Sequence, residues 1–78
     1  MPAFRLEHLA LNVVDPERTA AWYVEHFGLR VVRAGRDIAR TTFLATGDGA
    51  VLIELYNNNT APVPAYALKH PLELHLAF

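Results

Sequence analysis

Apolar and polar residues alternate over several short stretches of this chain, and in one place the alternation gives way to a helical rhythm. Residues 4–14, FRLEHLALNVV, read as a strand. Leu9, Leu11 and Val13 share one face, and Leu6, His8, Ala10 and Asn12 share the other, because successive strand side chains point to opposite sides. From Asp15 the spacing changes. Ala20, Tyr23, Val24 and Phe27 recur at helical intervals and are expected to face a sheet, with Trp22 along one edge. Both helix ends are marked: Asp15 to cap free N–H groups, Pro16 and Glu17 in the first turn, and Gly28 for a left-handed stop. Strands are predicted over 29–36 and 38–46. The GDG of 47–49 signals a hairpin, since glycines accept the positive φ of tight turns. Its partner strand, 50–58, has Val51, Ile53 and Leu55 on one face and Leu52, Glu54 and Tyr56 on the other. Residues 57–71, with three Asn and three Pro, are loop-like apart from a weak helical turn near 65–69. A strand pattern returns at 72–78, LELHLAF.

The predicted order is strand, helix, three strands, a long connection and a strand. The fold class is therefore α+β, a βαβββ unit. The last strand echoes the first: His75-Leu76-Ala77 repeats His8-Leu9-Ala10, and Phe78 falls where Leu11 stood. The echo lies where a second copy of the unit would begin. The chain accordingly divides into a first module over 1–58, a connection over 59–71, and the first strand of an incomplete second module over 72–78.

At 78 residues there is room for one domain, and the 53% hydrophobic and 19% charged composition places it among folded rather than disordered chains. So short a chain is marginally stable alone, and the usual remedies are disulfides, a metal or oligomerisation. The absence of Cys excludes disulfides and thiolate zinc sites. A formal charge of −1 without a basic cluster argues against nucleic acid or a membrane surface as partner. No signal-peptide pattern and no membrane-length apolar run is seen, so a cytoplasmic, soluble protein is expected.

Three polar residues sit in otherwise aliphatic strands: His8, Glu54 and His75. A carboxylate between Ile53 and Leu55 is costly to bury unless it is paired, hydrogen-bonded or metal-bound. Two imidazoles and a carboxylate are a common ligand set for divalent zinc, iron, nickel or manganese. Each residue also has an ordinary reading, as a hydrogen-bonded or outward-facing strand residue. Asn12 and Tyr56 share the predicted faces of His8 and Glu54 and are candidate cavity residues or structural ones. Arg40 is a candidate contact for an anionic substrate or a strand-edge residue. His26 and His70 read as solvated bystanders, and the Asn-rich loop as a turn or a lid.

The stretch LEHLALNVVDPERTAAWYVEHFGLRVV resembles the opening of the vicinal oxygen chelate superfamily, which comprises glyoxalases, bleomycin-resistance proteins and extradiol dioxygenases. The features that carry the resemblance are His8, Asp15, Trp22-Tyr23, Phe27-Gly28-Leu29 and Val31-Val32, then the GDG hairpin with LIEL, then LHLAF. It implies paired βαβββ modules cupped around a divalent metal ion (Zn, Ni, Fe, Mn or Mg) that holds two neighbouring oxygens of a small-molecule substrate. It also implies His8, Glu54 and His75 as metal ligands and Glu54 as a candidate catalytic base, with Asn12, Tyr56 and Arg40 as candidate substrate contacts. A fourth ligand, usually Glu on the last strand of the second module, has no counterpart here. Either a longer protein or a partner chain is then expected to complete the site, the latter as a homodimer with a poorly stable monomer. The His-Glu-His order implies a glyoxalase-like lyase or isomerase. The alternatives are an extradiol-type dioxygenase and a metal-free binding protein of the bleomycin-resistance kind.

Overall fold

In a computed structural model that describes residues 3–78, one helix lies across a four-stranded mixed sheet. The elements follow the order β1 (His8–Asn12), α1 (Pro16–Phe27), β2 (Arg30–Ala34), β3 (Thr42–Ala45) and β4 (Leu52–Tyr56), with a single 3₁₀ turn at Tyr66–Leu68. This is the βαβββ arrangement. Met1 and Pro2, which open the expected first module, lie outside the described residues.

The helix begins and ends where its capping residues predict. Asp15, in an extended conformation, accepts the Arg18 N–H at 3.1 Å, and Pro16 opens the first turn. At the other end Gly28 adopts φ 66°, and its N–H reaches the Val24 carbonyl at 3.1 Å. A side chain there would be strained by that left-handed backbone.

The strands run in the order β1-β4-β3-β2, with β1 parallel to β4 and the other pairs antiparallel. A parallel neighbour for β1 is what a helical crossover followed by two hairpin-linked strands produces. The helix covers one face. Val13, Ala20, Leu29, Leu44, Ile53 and Leu55 form the core there, with Leu11, Tyr23 and Tyr66 packed against it. Val24 and Phe27, expected in that contact, remain 40% and 48% exposed. Ala20 and Tyr23 make the helix's share of the core instead.

The strands are shorter than the apolar pattern suggests, and the reasons are local. Leu52, opposite His8, is where β4 begins, so residues 3–6 extend past the end of β4 and form no strand. Residues 38–41 belong to a closed loop, not to β3. The Gly35 N–H reaches the Thr41 carbonyl at 2.6 Å, and the Asp37 carboxylate accepts both the backbone N–H and the hydroxyl of Thr41. Of the two hairpin glycines only Gly49 has positive φ, 73°. Asp48 holds the turn by accepting the Ala50 N–H and the Thr46 hydroxyl, both at 2.9 Å.

The strand expected over 72–78 does not form. The Glu73 and Leu74 N–H groups turn back to the His70 carbonyl at 2.8 and 3.2 Å. The remaining tail lies across the helix side, and Phe78 stacks on Phe27 with ring centroids 4.6 Å apart. A strand exists only through a neighbour that pairs with its backbone, and among the described residues β4 is the sole strand paired with β1. The 3₁₀ turn at Tyr66–Leu68 agrees with the weak helical signal near 65–69.

Candidate functional site

The sheet face opposite the helix is open, and the register lays a row of side chains across it. Ala10 on β1 pairs with Glu54 on β4, Glu54 with Phe43 on β3, and Phe43 with Arg33 on β2. His8 lies two positions before Ala10 on the same face of β1. These side chains border a cleft of about 370 Å³, lined by His8, Glu54, Phe43, Arg33 and Val32 with Leu52 beneath.

At one end of the cleft His8 and Glu54 face each other, with His8 Nε2 3.6 Å from Glu54 Oε1. The other imidazole nitrogen, Nδ1, donates to Glu7 Oε1 at 3.0 Å. This bond sets the tautomer: a neutral His8 then turns an unprotonated Nε2 toward the Glu54 carboxylate. Two acceptors facing each other repel unless a proton or a cation lies between them. The donor set fits a divalent ion. Imidazole and carboxylate suit the same metals, a carboxylate on the far nitrogen is the usual orienting partner of a metal-binding histidine, and two ligands of one tetrahedral ion sit roughly 3.3 Å apart.

His75 is not brought to this pair. Its Nδ1 donates to the Pro71 carbonyl at 2.7 Å. The ring borders a separate apolar groove of about 450 Å³ with Leu9 and Leu11, from the other face of β1, and Val13, which follows that strand. Among the described residues no three His, Cys, Asp or Glu side chains converge as a metal-binding group.

The remaining predicted contacts are also placed elsewhere. The Asn12 amide donates to the carbonyls of Asn58 and Ala61 at 3.0 and 3.1 Å, and its oxygen accepts the Asn58 N–H at 2.8 Å. It is saturated as the anchor of the Asn-rich loop. Asn57 adds to that anchorage by donating to the Val13 carbonyl at 2.7 Å. Arg40 is drawn to the start of the helix, where Nη1 donates to Glu17 Oε2 at 2.9 Å and Nη2 to the Val14 carbonyl at 3.3 Å. Tyr56 shares the face of Glu54 but lies at the far end of β4 from the cleft, half-buried. It stands near the Tyr66 hydroxyl, which donates to the Asn12 carbonyl at 2.7 Å. Burial chiefly, and the neighbouring Tyr56, hold the Tyr66 hydroxyl above its ordinary pKa, despite that bond to Asn12.

Arg33 and Phe43 were not among the predicted site residues, and for Arg33 the reason is a bulge. Strict alternation along β2 sets Val32 opposite Phe43 and Arg33 opposite the buried Thr42, on the helix side. The register shifts between Val31 and Arg33, so Arg33 faces Phe43 instead. Its guanidinium lies 5.3 Å from the Phe43 ring centroid. Bulges insert a residue and re-aim side chains in this way, and a period-two reading does not reveal them. Phe43 itself, edge-on to His8 with centroids 6.3 Å apart, was legible from alternation with the core residues Thr42 and Leu44.

The family model of the Glyoxalase/Bleomycin resistance protein/Dioxygenase superfamily matches residues 5–76. The chain belongs to that superfamily. The match spans the module and the tail alike, so it covers both LEHLALNV and most of LELHLAF. No curated protein and no solved structure gives a significant match to it. Among the described residues no helix is long and apolar enough to cross a membrane.

Proposed function

We propose that this superfamily member is a metal-dependent enzyme module of the glyoxalase-like kind, a lyase or isomerase acting on a small molecule that presents two neighbouring oxygens. The observation that carries the reading is the His8–Glu54 pair, with Nε2 and Oε1 3.6 Å apart on an open sheet face and His8 oriented by Glu7. His8 and Glu54 would hold the divalent ion. The ion, when bound, supplies Lewis acidity to the substrate oxygens. Glu54, 21% exposed, is the base assigned to move a proton at the carbon beside the substrate carbonyl. His75 enters this reading as a ligand contributed by a second copy of the chain, since its own tail carries it to the opposite face.

Equilibrium dialysis against Zn²⁺, Ni²⁺ and Mn²⁺, with thermal unfolding in parallel, tests the proposal. Retention of one ion by the wild type is expected, with a rise in Tm. His8→Ala and Glu54→Gln are each expected to weaken binding by more than the roughly tenfold to hundredfold loss that follows the removal of a ligand-orienting partner such as Glu7. A chain that retains none of these ions and shows no metal-dependent Tm overturns it. One observation favours a second reading, a metal-free binding protein of the bleomycin-resistance type: only two of the three expected ligands converge, beside an apolar groove on the other face. Its signature is saturable small-molecule binding that chelator leaves unchanged.

A further inference from the structure

We propose that Arg33 is the carboxylate-recognition residue of the open cleft, so that the ligand is an organic acid whose anionic end lies at β2 and whose neutral oxygens lie at His8 and Glu54. The inference deepens the reading of the cleft given above and rests on it for the position of the neutral oxygens.

Three observations converge. First, Arg33 lines the same cleft as His8 and Glu54, at the opposite edge of the sheet. β3 alone separates β2 from β4, so the backbones carrying Arg33 and Glu54 are roughly 10 Å apart at a strand spacing of about 4.8 Å, and β1 with His8 lies one strand farther. That separation suits a molecule with two functional ends. Second, the guanidinium has no carboxylate partner among the described residues; Arg5, Arg18, Arg30 and Arg36 have none either, but of these Arg33 is the one that lines the cleft. The contact at Arg33 is the Phe43 ring, 5.3 Å from the guanidinium carbon to the centroid. A ring beneath a guanidinium restricts its plane without occupying its N–H groups, which remain available for bidentate bonding to a carboxylate. Third, the bulge in β2 is what brings Arg33 to this face.

The local charges are segregated in a way that fits such a ligand. Both cleft carboxylates, Glu7 and Glu54, sit beside His8 at the β1–β4 end, within 3.0 and 3.6 Å of its ring nitrogens. Without a metal an anionic group is repelled there and attracted at β2; a bound divalent ion would offset the two carboxylates and leave Arg33 as the uncompensated cation of the cleft. The Phe43 ring lies between the two ends, with Val32 beside Arg33 and Leu52 opposite His8 adding apolar surface, so the middle of the ligand is hydrocarbon or an aromatic ring.

The test compares 3-phenylpropanoate with its neutral amide, 3-phenylpropanamide, in NMR titrations of the whole 78-residue chain, with and without Zn²⁺. Neither probe has two adjacent oxygens beyond a single carboxyl or amide group, so the comparison isolates the anionic end. The acid is expected to bind about tenfold more tightly than the amide, the scale of a charge-assisted hydrogen bond in a partly exposed site. It is also expected to shift the Arg33 Nε–H and the amides of residues 33 and 43. Arg33→Gln should abolish the preference while leaving the remaining amide spectrum in place, and Arg33→Lys should keep part of it. Equal binding of acid and amide, or a preference that survives in Arg33→Gln, overturns the inference. The preference is measured without metal as well. Its loss beside intact Zn²⁺ binding therefore refutes the role of Arg33 alone, and its presence in a chain that binds no Zn²⁺ refutes the metal reading alone.

Discussion

Asn12 shows how a single residue can match a functional pattern and serve the fold. On the open-face positions of β1 it looks like a cavity residue, but its amide is consumed by three backbone partners in the 58–61 loop. The same atoms predict how substitutions behave. Asn12→Ala leaves those loop groups to water and is expected to lower stability by about 1–2 kcal/mol. Asn12→Asp keeps the acceptor for the Asn58 N–H but turns a carboxylate oxygen toward the Asn58 and Ala61 carbonyls. It is expected to be the more damaging variant at neutral pH, and to recover toward the alanine value as acid protonates it. Urea unfolding of the three proteins at pH 7 and pH 4 checks both statements. Equal losses at pH 7 would mean the amide donors are not what holds the loop. Arg40 teaches the same lesson, since its charge is spent on Glu17 and the Val14 carbonyl.

At the scale of elements, the helix and the order of strands were legible because their signals are local. Asp15, Pro16 and Gly28 mark the helix by backbone chemistry that requires no knowledge of the rest of the chain. The alternation in LIEL likewise assigns Ile53 and Leu55 to the core and Glu54 to the open face. What could not be read depends on neighbours: where β1 and β3 lose their partners, the bulge that re-aims Arg33, and the tail that turns at His70. That His8 and Glu54 share one sheet face could be read for the same local reason as the strands, and the position of His75 could not. The two acidic turns make a further prediction at this scale. The Thr41 backbone N–H, aided by the Thr41 hydroxyl, holds Asp37 below its ordinary pKa, and the Ala50 N–H, aided by the Thr46 hydroxyl, does the same for Asp48. A depressed folded pKa contributes stability above the unfolded value, about 3.9 for aspartate, and loses it as pH falls through the folded value. Asp37→Asn and Asp48→Asn should therefore flatten the fall in Tm below about pH 4, while the wild type keeps the steeper slope. Parallel slopes in all three proteins would show that these turns do not contribute to acid lability.

Taken as a whole, the molecule exposes more surface than its size requires. Its accessible area is 6153 Å², against about 4,700 Å² for a compact chain of this mass. The difference exceeds the roughly 800 Å² each partner contributes to a standard protein interface. Much of the excess is apolar: Trp22, Phe27, Val31, Val32, Leu72 and Phe78 are all at least 48% exposed. Both β1 and β2 are sheet edges, which present unpaired backbone groups to another strand. These features predict association of two copies, in which the tail of one carries His75 to the His8–Glu54 pair of the other. Sedimentation velocity across a range of concentrations is expected to show a monomer passing to a dimer, with the midpoint shifting to lower concentration when Zn²⁺ is added. Mixing variants tests the shared site directly. His8→Ala and His75→Ala should each bind Zn²⁺ poorly alone, because every site in either homodimer lacks one ligand. A mixed dimer has one site lacking both residues and one site intact, so an equimolar mixture should recover about a quarter of the wild-type sites if subunits pair at random, half of them in mixed dimers. A mixture that binds no better than the two variants measured separately would place His75 outside the metal site.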